Sequence, residues 1–266
     1  MTYALPSSRT RSQGPGRFTA AGPLLLVGLD ALPSGLEGAA ARLFAAGTPP
    51  RGTHFGAALV SAAGLTEPAC DWIRAPEQAG LPLVVLADEA HADAAGLLLD
   101  ASITAFLPPD APPELLDEAL ATAASGEGVR DARGSYNLAW PAPAPASAAD
   151  PARPVDAARI RAHIRARRLR ERFLPASLFA DPAWDILLDL AAARLEGRLV
   201  SVSSLCIAAA VPTTTALRWI KNMVDQDMLL RVDDRQDARR AFITLAPATA
   251  NRLEDCLAAC FNHPGL

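Results

Sequence analysis

Lysine is almost missing: Lys221 is the one lysine in 266 residues, so the first half of the chain has none. No ammonium group is therefore at hand in that half to counter a bound phosphoryl group. Apolar runs of membrane-spanning length are missing too, which argues against an embedded helix and a membrane partner. The longest apolar N-terminal piece, Leu24 to Val27, is too short for the hydrophobic region of a signal peptide. The cysteines, Cys70, Cys206, Cys256 and Cys260, form no CxxC pair and do not cluster with histidine. A zinc site or a disulfide framework is not expected, and free thiols suit a reducing cytoplasm. No GxGxxG follows the first apolar run; GLDALPSG lacks the turn that cradles a pyrophosphate, which speaks against a dinucleotide. His54, His91, His163 and His263 are scattered, and Ser61 sits in no nucleophile motif. With no set of groups at catalytic spacing, neither an enzyme nor a cofactor is expected.

The charge present is unevenly placed. Residues 1–150 hold 8 Arg and Lys against 16 Asp and Glu, a net of -8; residues 151–266 hold 17 against 13, a net of +4, which together give the chain's -4. A basic half is what a phosphate-bearing partner requires, although charged faces also simply keep helices soluble.

Residues 1–22 are rich in Ser, Gly and Arg without periodicity and read as a disordered tail. From 23 to 124, candidate strands at Leu24–Leu29, Ala57–Ser61, Leu83–Ala87 and Ile103–Leu107 alternate with amphipathic stretches near 35–46, 66–79, 91–101 and 112–124. Continuous apolar strands separated by helices predict a parallel sheet covered on both faces, a small doubly wound α/β domain. Residues 125–156, with the run AWPAPAPASAADPARP, read as an extended Pro/Ala linker that holds two domains apart. The second domain is expected over 157–266, with helices near 157–173, from Asp181-Pro182 to about Arg194, and at 202–210, 213–226 and 247–260.

The βα order of 23–124 looks like a response-regulator receiver domain, a flavodoxin-like fold. A working receiver holds magnesium with acids after the first strand, carries an Asp at the end of the third, and has a Lys after the last. Here only Asp30 stands near the first strand, the acceptor position falls at about Ser61, the hydroxyl position near Ala87, and the lysine position in Leu107-Pro108-Pro109. Without clustered carboxylates magnesium has no oxygen cage. The domain is expected to be a pseudo-receiver that dimerises, docks a protein partner, or takes a signal at the strand ends.

The sharpest pattern is SVSSLCIAAAVPTTTALRWIKNMVDQDMLLRVDDRQDARRAFITL, residues 201–245. It reads as helix, tight turn, second helix, then two strands around a charged tip: a winged helix-turn-helix, part of an α+β domain. At 100° per residue, Thr213, Ala216, Leu217, Ile220, Met223 and Val224 fall on one side of the second helix. Thr214, Thr215, Arg218, Lys221, Asn222 and Asp225 fall on the other. Thr can bond phosphate or meet a thymine methyl, Arg can fork onto guanine and Asn onto adenine. The tip, Asp233 to Arg240, carries Arg235, Arg239 and Arg240, cations suited to a narrow minor groove. Asp237 is close enough to orient Arg239 through a carboxylate fork.

On VPTTTALRWI and DRQDARRAFITL, residues 157–262 resemble the MarR family of winged-helix transcription regulators, whose Asp-x-Arg-Arg signature is matched at Asp237, Arg239 and Arg240. The resemblance implies a cytoplasmic bacterial regulator that binds palindromic DNA as a homodimer joined by its terminal helices, here 157–173 and 247–260. Thr214, Thr215 and Arg218 would then sit at base- or phosphate-contacting positions, with Arg239 as the wing arginine; from the helix and tip themselves, Thr213, Lys221, Asn222, Arg235 and Arg240 are further candidate DNA contacts. Asp227 departs from the family, which often has Gly there. Two rivals stand beside this reading: an interaction module that has lost DNA binding, and a redox- or small-molecule-responsive repressor using Cys256 and Cys260. The arginine-dense helix, Arg159 to Arg172, is expected to pair with acids of the N-terminal domain, and Trp184 and Trp219 are expected at the core or its edge.

Overall fold

The computed structural model describes residues 22–31, 33–34, 36, 41–44, 54–125, 155–234, 236–237 and 240–262. Five parallel strands, β1 (Leu24–Val27), β2 (Ala41–Phe44), β3 (Ala57–Ser61), β4 (Leu83–Leu86) and β5 (Ile103–Leu107), form a sheet in the order β2-β1-β3-β4-β5. That is the doubly wound order of flavodoxin-like domains. The sheet is apolar on both faces because both are covered. Leu25, Val27, Ala58, Val60, Leu83 and Val85 lie in one buried cluster with Cys70 and Ile73 of α1 (Glu67–Arg74) and Ala92 and Ala95 of α2 (Ala92–Gly96). Their neighbours Leu24, Leu26, Leu59, Val84 and Leu86 lie in another, with Leu116 and Leu120 of α3 (Pro113–Ser125).

One expectation here is corrected. The stretch near 35–46 looked amphipathic and helical, yet Ala41–Phe44 is an edge strand paired in parallel with β1. Its sequence, ARLF, carries an arginine in place of the continuous apolar run that marks β1 and β4.

The second domain contains α4 (Ala157–Leu169), α5 (Pro182–Leu195), the two-residue strand β6 (Val200–Ser201), α6 (Val202–Ala208), α7 (Thr213–Asp225), β7 (Leu229–Asp233), β8 (Ala241–Leu245) and α8 (Pro247–Asn262). Its antiparallel sheet has the order β6-β8-β7. Local chemistry sets the helix starts. Asp156 accepts the N–H of Arg159 at 2.8 Å, Asp181 that of Trp184 at 3.3 Å with Pro182 in the first turn, and Ser201 that of Ser204 at 3.2 Å. The parallel α/β domain followed by a smaller helical and antiparallel domain is the architecture expected from sequence. Among the described residues, no helix is long and apolar enough to cross a membrane.

Two further expectations change. The Pro/Ala stretch was read as holding the domains apart; residues 126–154 lie outside those described, but the domains on either side share one buried cluster. It runs from the sheet through α2 to Val202, Leu205 and Cys206 of α6 and Leu217 and Ile220 of α7. The arginines of α4, expected to reach the N-terminal acids, find partners in their own domain. Arg161 pairs with Asp189 and, at 3.1 Å, with Glu196; Arg167 meets Asp185 at 3.4 Å and Asp181 at 3.7 Å. Arg168 donates to the Ala208 carbonyl at 2.6 Å, and Arg159 to that of Phe261 at 3.1 Å. The acids of α5 lie one helix away, so pairing within the layer leaves little charge on α4 for a distant domain.

Candidate nucleic-acid interface

The helix pair is built by its turn. α6 ends at the cap Ala209, and Ala210 takes φ 54 before Pro212 opens α7. On α7, Ala216, Leu217, Ile220 and Met223 are buried, which holds the helix on the core and turns its other side outward. Arg218 and Asn222 are exposed there, while Thr213, Thr214 and Thr215 at the start of α7 are half-buried. Trp219, expected at the core or its edge, is 36% exposed on the same side, whereas Trp184 packs against the core. Lys221 is placed differently from a free cation: its side chain is 13% exposed and ion-paired with Asp225 one turn on. Asn222 accepts a hydrogen bond from Gln226. Arg218 and Asn222 thus offer a forked donor and an amide on an exposed helix face, the side-chain types that read guanine and adenine.

The end of α7 settles the Asp227 departure. Asp227 adopts φ 55 itself; its N–H bonds Val224 O at 3.0 Å, and the Met228 N–H bonds Met223 O at 2.9 Å. This is the closing pair of a Schellman cap, formed without glycine. α5 closes in the same way on Gly197, φ 67, with Gly197 N–H to Arg194 O at 3.2 Å and Arg198 N–H to Ala193 O at 2.9 Å.

From that cap the chain enters β7, which pairs with β8 from Leu229↔Leu245 to Asp233↔Ala241. At the tip, the Arg240 N–H donates to the Asp237 carbonyl at 3.0 Å, and the Asp234 N–H to the Arg240 carbonyl at 3.1 Å. Arg240 is exposed, its guanidinium 5.6 Å from the centre of the Phe242 ring. Arg235 and Arg239 lie outside the described residues, and with them the fork from Asp237 to Arg239. The structure therefore brings Arg218, Asn222 and Arg240 to exposed places on the helix and hairpin, and withdraws Lys221.

Sequence reading missed the residues that border this surface. Arg231 of β7 has a side chain only 4% exposed, ion-paired with Asp233 beside it and with Asp100 between α2 and β5. Burial opposes its charge, but the two carboxylates hold the guanidinium more firmly protonated than usual. Arg74, at the end of α1, reaches Asp100 at 3.2 Å and Asp233 at 3.4 Å. Asp93 of α2 accepts both the N–H and the hydroxyl of Ser203 at 2.8 Å. The pairs that cross between the domains are 110 to 159 residues apart, too far for any local pattern to announce.

Among the described residues, the strand ends of the α/β domain hold no comparable set. Gly28, φ +66, and Gly64 touch backbone to backbone: a Cβ on Gly64 would stand 2.2 Å from the Gly28 carbonyl oxygen. That contact lies where β1 and β3 diverge, the usual ligand crevice of such sheets. Asp30 is exposed, and Asp88 is bonded to His91 at 2.6 Å, which holds its carboxyl below the ordinary value. Among the described residues, no three His, Cys, Asp or Glu side chains group to hold a metal ion. Burial pushes the Cys70 thiol up to about 11 and that of Cys206 to about 12, keeping both protonated. Cys256 is exposed, with Cys260 one turn away, and burial together with Cys260 raises its thiol.

Comparison with known proteins is sparse. No family model matches the chain, and no curated protein does. A solved structure of BpsR from Bordetella bronchiseptica, a protein whose DNA binding is regulated by 6-hydroxynicotinic acid, is 22% identical over 40% of this chain and 81% of its own, with a TM-score of 0.24.

Proposed function

We propose that the chain is a sequence-specific DNA-binding regulator of the MarR type. In this reading it acts as a homodimer on a palindromic operator, with α7 in the major groove and the β7–β8 hairpin beside it. The observation that carries the reading is α7 itself: Ala216, Leu217, Ile220 and Met223 are buried along one side while Arg218 and Asn222 stand exposed on the other. The neighbouring hairpin ends on an exposed arginine, Arg240, as a wing directed at phosphate or the minor groove requires. The remaining named residues, Thr213, Thr214, Thr215 and Lys221 on the helix and Arg235, Arg239 and Asp237 on the tip, are proposed as supporting contacts. The terminal helices α4 and α8 are tied together within one chain by Arg159, which donates to the Phe261 carbonyl. They are the proposed dimer surface. The α/β domain serves as a non-phosphorylatable pseudo-receiver for a signal or protein partner.

Selection of duplexes from a random pool with the full chain tests this directly; a two-fold motif is the expected product. Arg218→Ala should then weaken the selected site by about 1–3 kcal/mol and relax preference at one base position. Equal affinity and equal preference in the variant would reject the helix assignment.

A second reading, a protein-interaction module, is favoured by one feature. Beyond α4, Phe173 is 78% exposed and Leu178 71%, an apolar display that a DNA reader does not need. A pool that yields no motif would move the protein to this class.

A further inference from the structure

The surfaces that join the two domains involve the elements a winged helix turns toward DNA. α2 packs on α6, and both β5 and α2 pack on α7. At the centre, Gly96 of α2 meets Val202 in the first turn of α6 so closely that a Cβ on Gly96 would stand 2.4 Å from Val202 Cγ2, 2.9 Å from its Cβ and 3.2 Å from Cγ1. Beside this apolar spot, the Asp93 carboxylate receives two hydrogen bonds from Ser203 at 2.8 Å. At the hairpin, Asp100 joins Arg74 of its own domain to Arg231 of β7. The contact is thus a tight glycine-on-valine seat flanked by carboxylates that the acidic half supplies.

We propose that this contact is autoinhibitory: the α/β domain holds the winged helix in a closed form of low DNA affinity, and separation at Gly96–Val202 releases it. The proposal rests on the DNA-binding reading above. In the closed form Asp93 and Asp100 stand at the first turn of α6 and at the wing strand, where the first helix of such a pair crosses the DNA backbone. Asp100 is compensated by Arg74 and Arg231, so the repulsion of phosphate rests on Asp93 at the first turn of α6. Closure also withdraws a cation. Arg231, 4% exposed, is held by Asp100 as well as by Asp233 of its own strand, and parting the domains frees it from Asp100. The exposed Arg218 and Asn222 then find their groove without the acidic neighbour.

The test uses the full chain and a wedge that leaves the charge unchanged. Gly96→Ala forces the domains apart; adding Val202→Gly removes the whole side chain that the new Cβ meets and lets them close again. Small-angle scattering reads separation, and a random-sequence duplex at one fixed salt concentration reads affinity. If the open form is about a tenth of the population, Gly96→Ala should expand the molecule and bind about ten-fold tighter, and the double variant should reverse both. Should Gly96→Ala fail to fold, Ser203→Ala, which loses the hydroxyl bond to Asp93 and leaves the charge unchanged, should move affinity the same way by a smaller factor. Expansion with unchanged or weaker binding would overturn the autoinhibition alone, as would a Gly96→Ala chain that stays compact. Absence of duplex binding in every variant, expanded or not, would overturn the DNA-binding reading and this proposal with it.

Discussion

In the α/β domain the loops at the strand ends pack on each other until the Gly28 and Gly64 backbones touch; in the winged helix, α7 keeps Arg218 and Asn222 in solvent. Both regions bury apolar residues by the same means, alternation in strands and one-sided stripes in helices. They differ in what remains. One fold closes its customary crevice and carries its acids toward a neighbour, while the other carries an exposed face with hydrogen-bonding forks. Recognition chemistry is thus a property of what a fold leaves uncovered, and here the uncovered part belongs to the second domain alone.

That division should not extend to stability, and the largest effect tests it. Leu217 lies at 0% exposure in the cluster that spans both domains. Leu217→Ala should cost about 2–5 kcal/mol and lower a single unfolding transition seen alike by circular dichroism and tryptophan fluorescence. Two separated transitions, only one of them shifted, would mean that the domains hold independent cores. A smaller effect separates the two Schellman caps. Gly197→Ala places a Cβ in the left-handed region and should cost about 1 kcal/mol, whereas Asp227→Gly should be neutral or stabilising by a few tenths. A loss at Asp227→Gly would show that the carboxylate does more there than tolerate the backbone.

The smallest effect concerns acid. Hydrogen bonds from Arg161 and then Arg198 lower the Glu196 carboxyl from 4.5 to about 2. A carboxylate depressed in the folded state stabilises it above the unfolded value, and that contribution fades as pH falls through the folded value. The window is therefore pH 4.5 down to about 2. Glu196→Gln should flatten the fall in stability across that window and leave the profile near neutrality parallel to that of the unaltered chain. Melting curves at stepped pH would show an unchanged slope if the Arg161 pair contributed nothing.

Much of the fold could be read from residues near in sequence. Four of the five parallel strands were marked by apolar runs such as LVVL at β4, and α5 by Asp181-Pro182 at its start. β2 escaped because its sequence, ARLF, is interrupted by an arginine and shows no continuous apolar run like LLLV at β1 or LVVL at β4. On the interface, helical phase placed Arg218 and Asn222 outward, but it could not see that Lys221 would be folded down onto Asp225. The domain contact was invisible for a more general reason. Asp93 and Ser203, or Asp100 and Arg231, are ordinary surface residues in sequence, and only the packing of Gly96 on Val202 brings them into register. The arginines of α4 show the converse error: charge opposite in sign across domains suggested a long reach, while Asp189 and Glu196 were one helix away.

Because one chain carries both faces of the Gly96–Val202 seat, their meeting is a first-order event. Residues 126–154 join the end of α3 to the start of α4, and a tether of that kind sets an effective local concentration of order millimolar, whatever the number of molecules present. Dilution does not part the faces, and crowding does not force them together. The position of the equilibrium follows from the fit of the two faces and from the length of chain between them, and that length can change without touching either face.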